Sequence, residues 1–327
     1  MFRYLILSLL LMSSAVFAET SLLNVSYDVT REFYNELNPA FIKYWKEKTG
    51  EDVTINQSHG GSSKQARAVA DGLEADVITM NRSSDIDILY QRGKLIPENW
   101  QERLPHASSP TASTSVFLVR KGNPKNIKDW DDLVKPGISV IIPNPKTSGN
   151  GKYSYLAAWG YVIKNGGDEA KAKDFVTKLI KNVPVLDSGG RGATTTFAQR
   201  NIGDALLTFE NEVFLIKKEL GEDKFETVYP SVSVLAENPI SLVDKVVDKR
   251  KSRNVAQAYL DFHFSEEGQG IAVRHNLRPQ VESIADKHKA TFKQLNLFTV
   301  NEVFGSWAKA EKTHFADGGL FDQIYGK

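Results

Sequence analysis

The sequence predicts an α/β chain folded as two lobes, each a mainly parallel sheet flanked by helices, that face each other across a cleft, and three observations carry that expectation. Strand-like and helix-like patterns alternate through the first hundred residues at about thirty residues per unit, the rhythm of a parallel sheet with crossover helices. The chain has 327 residues, more than one core usually organises. From Ser252 onward it is helical and aromatic-rich, without a sheet of its own. That tail is expected to pack back on the first lobe, so the chain must cross between lobes more than once.

The elements follow in order. Arg3, the apolar run Tyr4 to Met12 and the small residues leading to Ala18 read as a cleavable secretory signal over residues 1–18, too short to span a bilayer. No Cys follows the run, so a lipid anchor is not expected, and the mature chain begins near Glu19. Leu22 to Tyr27 reads as a buried strand. Asp28 then caps a helix carrying Phe33, Leu37, Phe41, Ile42 and Trp45, which Asn38-Pro39 is expected to restart. Val53 to Gln57 is a second strand and Asp76 to Met80 a third, with a turn at Ser58 to Ser63 and a helix from Lys64 to Leu73 between them. Further strands are expected at Ser115 to Val119, Gly137 to Ile142, Val183 to Leu186, Asp204 to Thr208, Phe225 to Tyr229 and from Ser241, with helices after residue 151, over 194–200 and through the tail. The expected division is lobe 1 at 19–115, lobe 2 at 116–236, and a return to lobe 1 at 237–327, with crossings near 112–120 and 234–244.

Composition narrows the function. Apolar residues make up 41% and charged residues 25%, ordinary globular values, and no later stretch approaches a membrane span. The 41 basic residues nearly cancel the 40 acidic ones, which argues against nucleic acid as a partner. There is no cysteine, which excludes a disulfide framework, thiol catalysis and Cys-based metal sites.

Four segments share one design, a strand, a tight polar or glycine-rich turn, then a helix: Ser26 to Asp28, Ser58 to Ser63, Thr147 to Gly151, and Ser188 to Ala193. Each would present free backbone N–H groups at the positive end of a helix, which suits an anion without any cationic side chain. Ser62 and Ser148 add hydroxyl donors, and the glycines at 60, 61, 149, 189, 190 and 192 allow close approach or positive φ. None of these turns has the spacing of a Walker A loop or of a dinucleotide-binding turn.

Several long stretches carry a resemblance. Leu22-Leu23-Asn24-Val25-Ser26-Tyr27-Asp28, Gln57 to Ala66, Val119 to Lys125, Pro143 to Asn150, Asp187 to Phe197, and Phe304 to Trp307 with His314-Phe315 are similar, in order, to signatures of the periplasmic sulfate- and thiosulfate-binding proteins of bacterial ABC transporters. The resemblance spans essentially the whole mature chain. It implies a type II periplasmic-binding-protein fold, capture by domain closure, delivery to an inner-membrane permease complex, periplasmic location and a monomer without cofactor. It also implies the anion donors: the N–H of Asp28 and the hydroxyl of Ser62 from the first lobe. From the second come the hydroxyl of Ser148 and the N–H groups of Gly149, Asn150 and Gly190. Sulfate-specific members resemble this chain less at Phe209, where they have a Trp donor. The thiosulfate-binding branch resembles it better there, at Thr147 to Asn150 and across Asp87 to Trp100. An apolar ring suits the larger, poorer-accepting sulfur, so Phe209 is expected to let the pocket take thiosulfate as well as sulfate.

A donor-only contact set favours sulfate over phosphate, whose remaining proton would face donors and go unpaired. This requires the Asp28 carboxylate to point away from the anion and cap the helix at Thr30 or Arg31. Arg191 is expected to pair, with Asp187 as the candidate partner, rather than touch the ligand, and His59 to brace its loop. Lys64, Arg67 and the charges of 166–181 read as solvated helix faces. The other histidines (106, 263, 275, 288 and 314) lack metal-ligand spacing. A receptor for another tetrahedral oxyanion, such as phosphate or molybdate, is the alternative reading. An exported ester hydrolase using Ser62 and His59 is weaker, since neither H-E-x-x-H nor G-x-S-x-G occurs.

Overall fold

The computed structural model of the chain describes residues 20–326, so the expected signal segment lies outside the described residues. The strands are β1 (Thr20–Tyr27), β2 (Val53–Gly60), β3 (Val77–Thr79), β4 (Thr111–Arg120), β5 (Val140–Pro143) and β6 (Leu186–Asp187). They continue as β7 (Ala205–Phe209), β8 (Phe225–Val228), β9 (Val232–Asn238), β10 (Ile240–Leu242), β11 (Arg278–Pro279) and β12 (Asn296–Phe298). The helices that matter below are α1 (Arg31–Thr49), α2 (Ser62–Ala70), α3 (Ser83–Gly93), α4 (Gly149–Lys164), α5 (Glu169–Lys181) and α6 (Gly190–Thr194). After them come α7 (Glu210–Leu220), α8 (Arg253–Phe262), α9 (Glu266–Arg274), α10 (Val300–Phe304), α11 (Trp307–Ala310) and α12 (Leu320–Tyr325).

Two sheets result. The first has the order β10-β3-β1-β2, with β1 parallel to both β2 and β3 and β10 antiparallel at the edge. Helices cover β1 on both faces, which is why Leu22, Asn24, Val25 and Ser26 are all fully buried. The second sheet runs β12-β9-β4-β7-β5-β6, and it is mixed rather than mainly parallel. The long strand β4 lies antiparallel to β7, β8, β9 and β11. Only the β5–β6, β5–β7 and β9–β12 pairs are parallel.

Local differences from the sequence expectation have physical causes. Pro39 does not restart α1; the helix runs unbroken to a left-handed Gly50. The stripe Phe33, Leu37, Phe41 and Trp45 is buried in the first core, and that packing outweighs one lost hydrogen bond. Asn38 is buried and accepts the Tyr259 hydroxyl at 2.6 Å instead of capping a new helix. The turn expected over 58–63 shrinks to Gly61, because β2 extends to Gly60 and α2 starts at Ser62. β9 is an additional strand: Pro239 separates it from β10, and the chain places one strand in each sheet on either side of that proline.

The tail divides, which corrects the expectation that all of it, and all of 237–327, returns to the first lobe. α8 and α9 do join the first core. Beyond β11 the chain leaves again: β12 pairs with β9, and Phe298, Phe304, Trp307, Phe315 and Phe321 enter the second core. Gly160 on α4 makes the seat, since a Cβ there would lie 2.1 Å from the Phe298 ring. A third crossing between 279 and 296 therefore joins the two expected near β4 and the β9–β10 connection, where Thr111 pairs with Asn238.

Candidate functional site

Strand ends from both sheets point into one cleft cavity of about 460 Å³. From the first sheet come Asp28 after β1, Gly60 to Ser62 after β2 and Asn81 after β3; from the second come Thr147 to Asn150 after β5, Ser188 to Gly192 after β6, and Phe209 at the end of β7. Of the residues the sequence singles out, Asp28, Ser62, Ser148, Gly149, Asn150, Gly190, Arg191 and Phe209 all line this cavity, and His59 does not.

The helix starts supply unpaired amides. In α2 the first intrahelical bond is Gln65 N to Gly61 O, and no side chain caps the helix, so the amides of Ser62 to Lys64 have no helical partner. In α4 the Ser148 hydroxyl accepts the Gly151 amide at 3.3 Å and Lys152 N bonds Ser148 O, which leaves Gly149 and Asn150 open. In α6 the first bond is Ala193 N to Gly189 O, again without a side-chain cap, so Gly190 is open. None of the cavity glycines takes positive φ, so their value here is close approach. A Cβ on Gly149 would sit 2.5 Å from Asn81 Oδ1, and one on Gly190 3.0 Å from Glu212 Oε1.

Ser148 spends only a lone pair on its cap, so its hydrogen remains available for a ligand. Ser62 differs from expectation. Its hydroxyl donates to Asp85 Oδ2 at 2.5 Å, so its amide is the group left to face the cavity. Burial alone would raise the Asp85 carboxyl, but the Arg82 guanidinium outweighs it and holds the group below the usual carboxylate range.

Two further expectations are corrected. The Asp28 carboxylate caps no helix amide; it pairs with Arg31 at 3.2 Å and Arg191 Nε at 3.5 Å. Arg191 in turn pairs with Glu32 at 3.3 Å and not with Asp187, so it reaches across the cleft from α6 to the start of α1. Guanidinium charge draws Asp28 away from the neutral amides it would otherwise cap. His59 Nδ1 sits 3.4 Å from the Tyr27 carbonyl, and burial lowers its pKa, so the ring is a neutral brace on β2. Lys146 lines the cavity, but Asp322 at 3.0 Å and Asp317 at 3.2 Å engage its ammonium. Lys64 and Arg67 are solvent-exposed, as expected, yet they also border the cavity.

Sequence reasoning misses Asn81 and Glu212. Asn81 follows a strand and precedes a helix like the four turns above, but without glycine to mark it. Its Oδ1 is buried and has no partner among the described residues. Glu212 lies in the first turn of α7, with only Phe209 nearby to flag it. It accepts from Thr208 Oγ1 and from Asn150 Nδ2 (3.3 Å), while its Oε1 is buried without a partner among the described residues. Burial pushes its pKa up to about 7 against the pull of Thr208 and Asn150. The wall thus holds a carboxyl that a donor-only inventory omits. Phe209, 3% exposed, meets Tyr153 edge-to-face at 5.6 Å and offers the cavity an apolar surface.

The arrangement resembles known proteins along its length. A family model described as bacterial extracellular solute-binding protein matches residues 22–278. The chain is 60% identical over 316 residues to a thiosulfate-binding protein of Pseudomonas aeruginosa, covering 97% of this chain and 95% of that one. It is 56% identical over 319 residues to a sulfate-binding protein of Salmonella typhimurium, covering 97% of each. Among solved structures, the sulfate-binding protein SubI of Mycobacterium tuberculosis matches with a TM-score of 0.81 at 31% identity, over 90% of this chain and 99% of that one.

Proposed function

We propose, since the chain belongs to the bacterial extracellular solute-binding protein family, that it captures sulfate or thiosulfate in the periplasm and delivers it to an inner-membrane ABC permease. The observation that carries this reading is the convergence of open helix-start amides from both sheets, with the Ser148 hydroxyl, on one cavity. Fixed N–H dipoles from both halves hold a fully deprotonated dianion without a bound countercharge. An anion between α2 on one side and α4 and α6 on the other bridges the halves, so binding and hinge closure are one event.

We infer anion donors at the amides of Asp28, Ser62, Gly149, Asn150 and Gly190 and at the Ser148 hydroxyl, with Phe209 as the wall against which a terminal sulfur rests. Export as a monomer, with closure creating the surface the permease reads, belongs to the same proposal. Binding without turnover fits the side chains: Ser62 donates to Asp85 while His59 faces a backbone carbonyl, so the two do not form a nucleophile–base pair.

Glu212 favours one second reading. Protonated, it donates and the site suits sulfate; ionised, its free Oε1 would accept the proton of a hydrogen phosphate. Titration calorimetry of the mature protein against sulfate, thiosulfate and phosphate at pH 6 and pH 8 separates the readings. The expected result is roughly micromolar binding of sulfate or thiosulfate (near −8 kcal/mol) and none of phosphate. Phosphate binding that tightens at pH 8 would install the second reading, and no binding of any of the three would end both.

A further inference from the structure

Beside the cavity the two halves also meet through buried charge. Arg82 precedes α3 and is 2% exposed. On its own side its guanidinium donates to both oxygens of Asp85, with Nε to Oδ2 at 3.0 Å, and to Ser63 Oγ at 2.5 Å. On the other side Nη1 donates to Glu311 Oε1 at 2.9 Å, and the guanidinium lies 5.5 Å from the Trp307 ring. Glu311 comes from the tail that packs on the second core, and it also accepts Lys152 Nζ at 2.6 Å and 2.8 Å. Lys152 sits one turn along α4 from Gly149.

A loop of polar contacts therefore runs from Ser62 through Asp85 and Arg82 to Glu311, and back through Lys152 to α4. Its ends are the two helix starts that face the cavity, and of its members only Ser62 lines it. The charges divide in a particular way. If the halves part between Arg82 and Glu311, Arg82 keeps Asp85 and Glu311 keeps Lys152. Neither half is left with an unpaired buried charge, so opening avoids the heavy penalty of breaking a buried pair. The Arg82–Glu311 bond then adds to the closed form alone.

We propose that Arg82 and Glu311 are positioning residues that couple anion capture to closure: Arg82 holds Ser62 in place through Asp85 and takes hold of the opposite half through Glu311. This rests on the anion reading of the cavity. Glu311, distant in sequence and absent from the cavity lining, thereby sets how long an anion stays bound.

The test is Glu311→Gln in the mature protein, with sulfate and thiosulfate as probes. Stopped-flow intrinsic fluorescence gives association and dissociation rates, and thermal unfolding is followed with and without anion. The expected outcome is dissociation about tenfold faster or more, for loss of one charge-assisted bond, with an unchanged association rate; the anion-free melting temperature falls as well, because Lys152 loses its partner in the open form too. Glu311→Asp should recover part of the slow dissociation. An unchanged dissociation rate overturns the proposal, and so does a drop in anion-free melting temperature that accompanies unchanged rates, since that marks a static structural role. Wild-type protein that bound neither anion would remove the reading of the cavity itself and this inference with it. Wild-type binding with an indifferent variant removes this inference alone.

Discussion

Replacing Gly149 with alanine tests closure directly, because the obstacle it creates lies across the cleft. Gly149 opens α4 without left-handed backbone, so alanine is tolerated within its own helix and is the better helix former. The three nearest atoms to the new Cβ all belong to Asn81, with Oδ1 at 2.5 Å, Nδ2 at 2.7 Å and Cγ at 3.0 Å. Asn81 is buried in the turn between β3 and α3, on the first sheet's side. The halves must part by a good fraction of an ångström, or Asn81 must swing out of the wall. Overpacking of this kind costs about 1–3 kcal/mol, which corresponds to roughly 5- to 150-fold in affinity. Titration calorimetry should show sulfate or thiosulfate binding weakened within that range, while the anion-free protein melts at or slightly above the wild-type temperature. Asn81→Ala in the same chain should recover part of the loss, and the coupling between the two substitutions measures the contact. Affinity within twofold of wild type, or an equal loss of stability without anion, would refute the reasoning.

Ser148→Ala should weaken anion binding about 10- to 150-fold, for one hydrogen bond to a charged group worth about 1.5–3 kcal/mol, and cost up to about 1 kcal/mol of stability through the lost cap; unchanged affinity by calorimetry would remove Ser148 from the donor set. Phe209→Trp adds an N–H to the wall and should shift the ratio of sulfate to thiosulfate affinity several-fold toward sulfate, so an unchanged ratio would leave Phe209 as packing only. Glu212→Gln should stabilise the anion-free protein at pH 8 and leave it unchanged at pH 4. Burial moves the carboxyl from 4.5 to about 7, so the folded state holds its proton more tightly between those values. Stability is lost as pH rises through the window, by on the order of 3 kcal/mol at about 1.4 kcal/mol per tenfold in proton affinity. A melting-temperature gain of equal size at both pH values would contradict that origin.

The strand–turn–helix repeats were legible because their signals are local. A buried strand followed by a tight polar or glycine-rich turn and then a helical pattern needs no knowledge of the rest of the chain, and those turns do meet at the cavity. What stayed hidden depends on partners far away in sequence. Arg191 sits between glycines with Asp187 four residues back, and local reasoning pairs it there; the fold brings Asp28 and Glu32, some 160 residues distant, within reach. Ser62 reads as a free hydroxyl until α3 delivers Asp85 to it. The tail's aromatic periodicity announces burial but not where, and Gly160 makes a seat for Phe298 that no local pattern advertises.

The charges around the cavity share one logic. Four of the cations drawn close to it are already matched: Arg191 by Asp28 and Glu32, Lys146 by Asp317 and Asp322, and Arg82 and Lys152 by Asp85 and Glu311, while Lys64 and Arg67 border it as solvent-exposed side chains outside these pairs. A free lysine buried in the wall would hold a dianion more strongly than a solvated one at its border, yet in the open form it would be a charge seeking other partners, and it would oppose release. Helix-start amides keep their orientation whether or not a ligand is present, so they bind without reorganisation. A carrier has to let go as well as capture, and fixed dipoles flanked by self-neutralised ion pairs meet both demands. Glu212 fits the same scheme only while protonated, because its ionised form would set a bare oxygen beside Gly190. Its raised pKa makes that neutral form accessible near pH 7, and a neighbouring dianion would raise it further, since like charge disfavours ionisation.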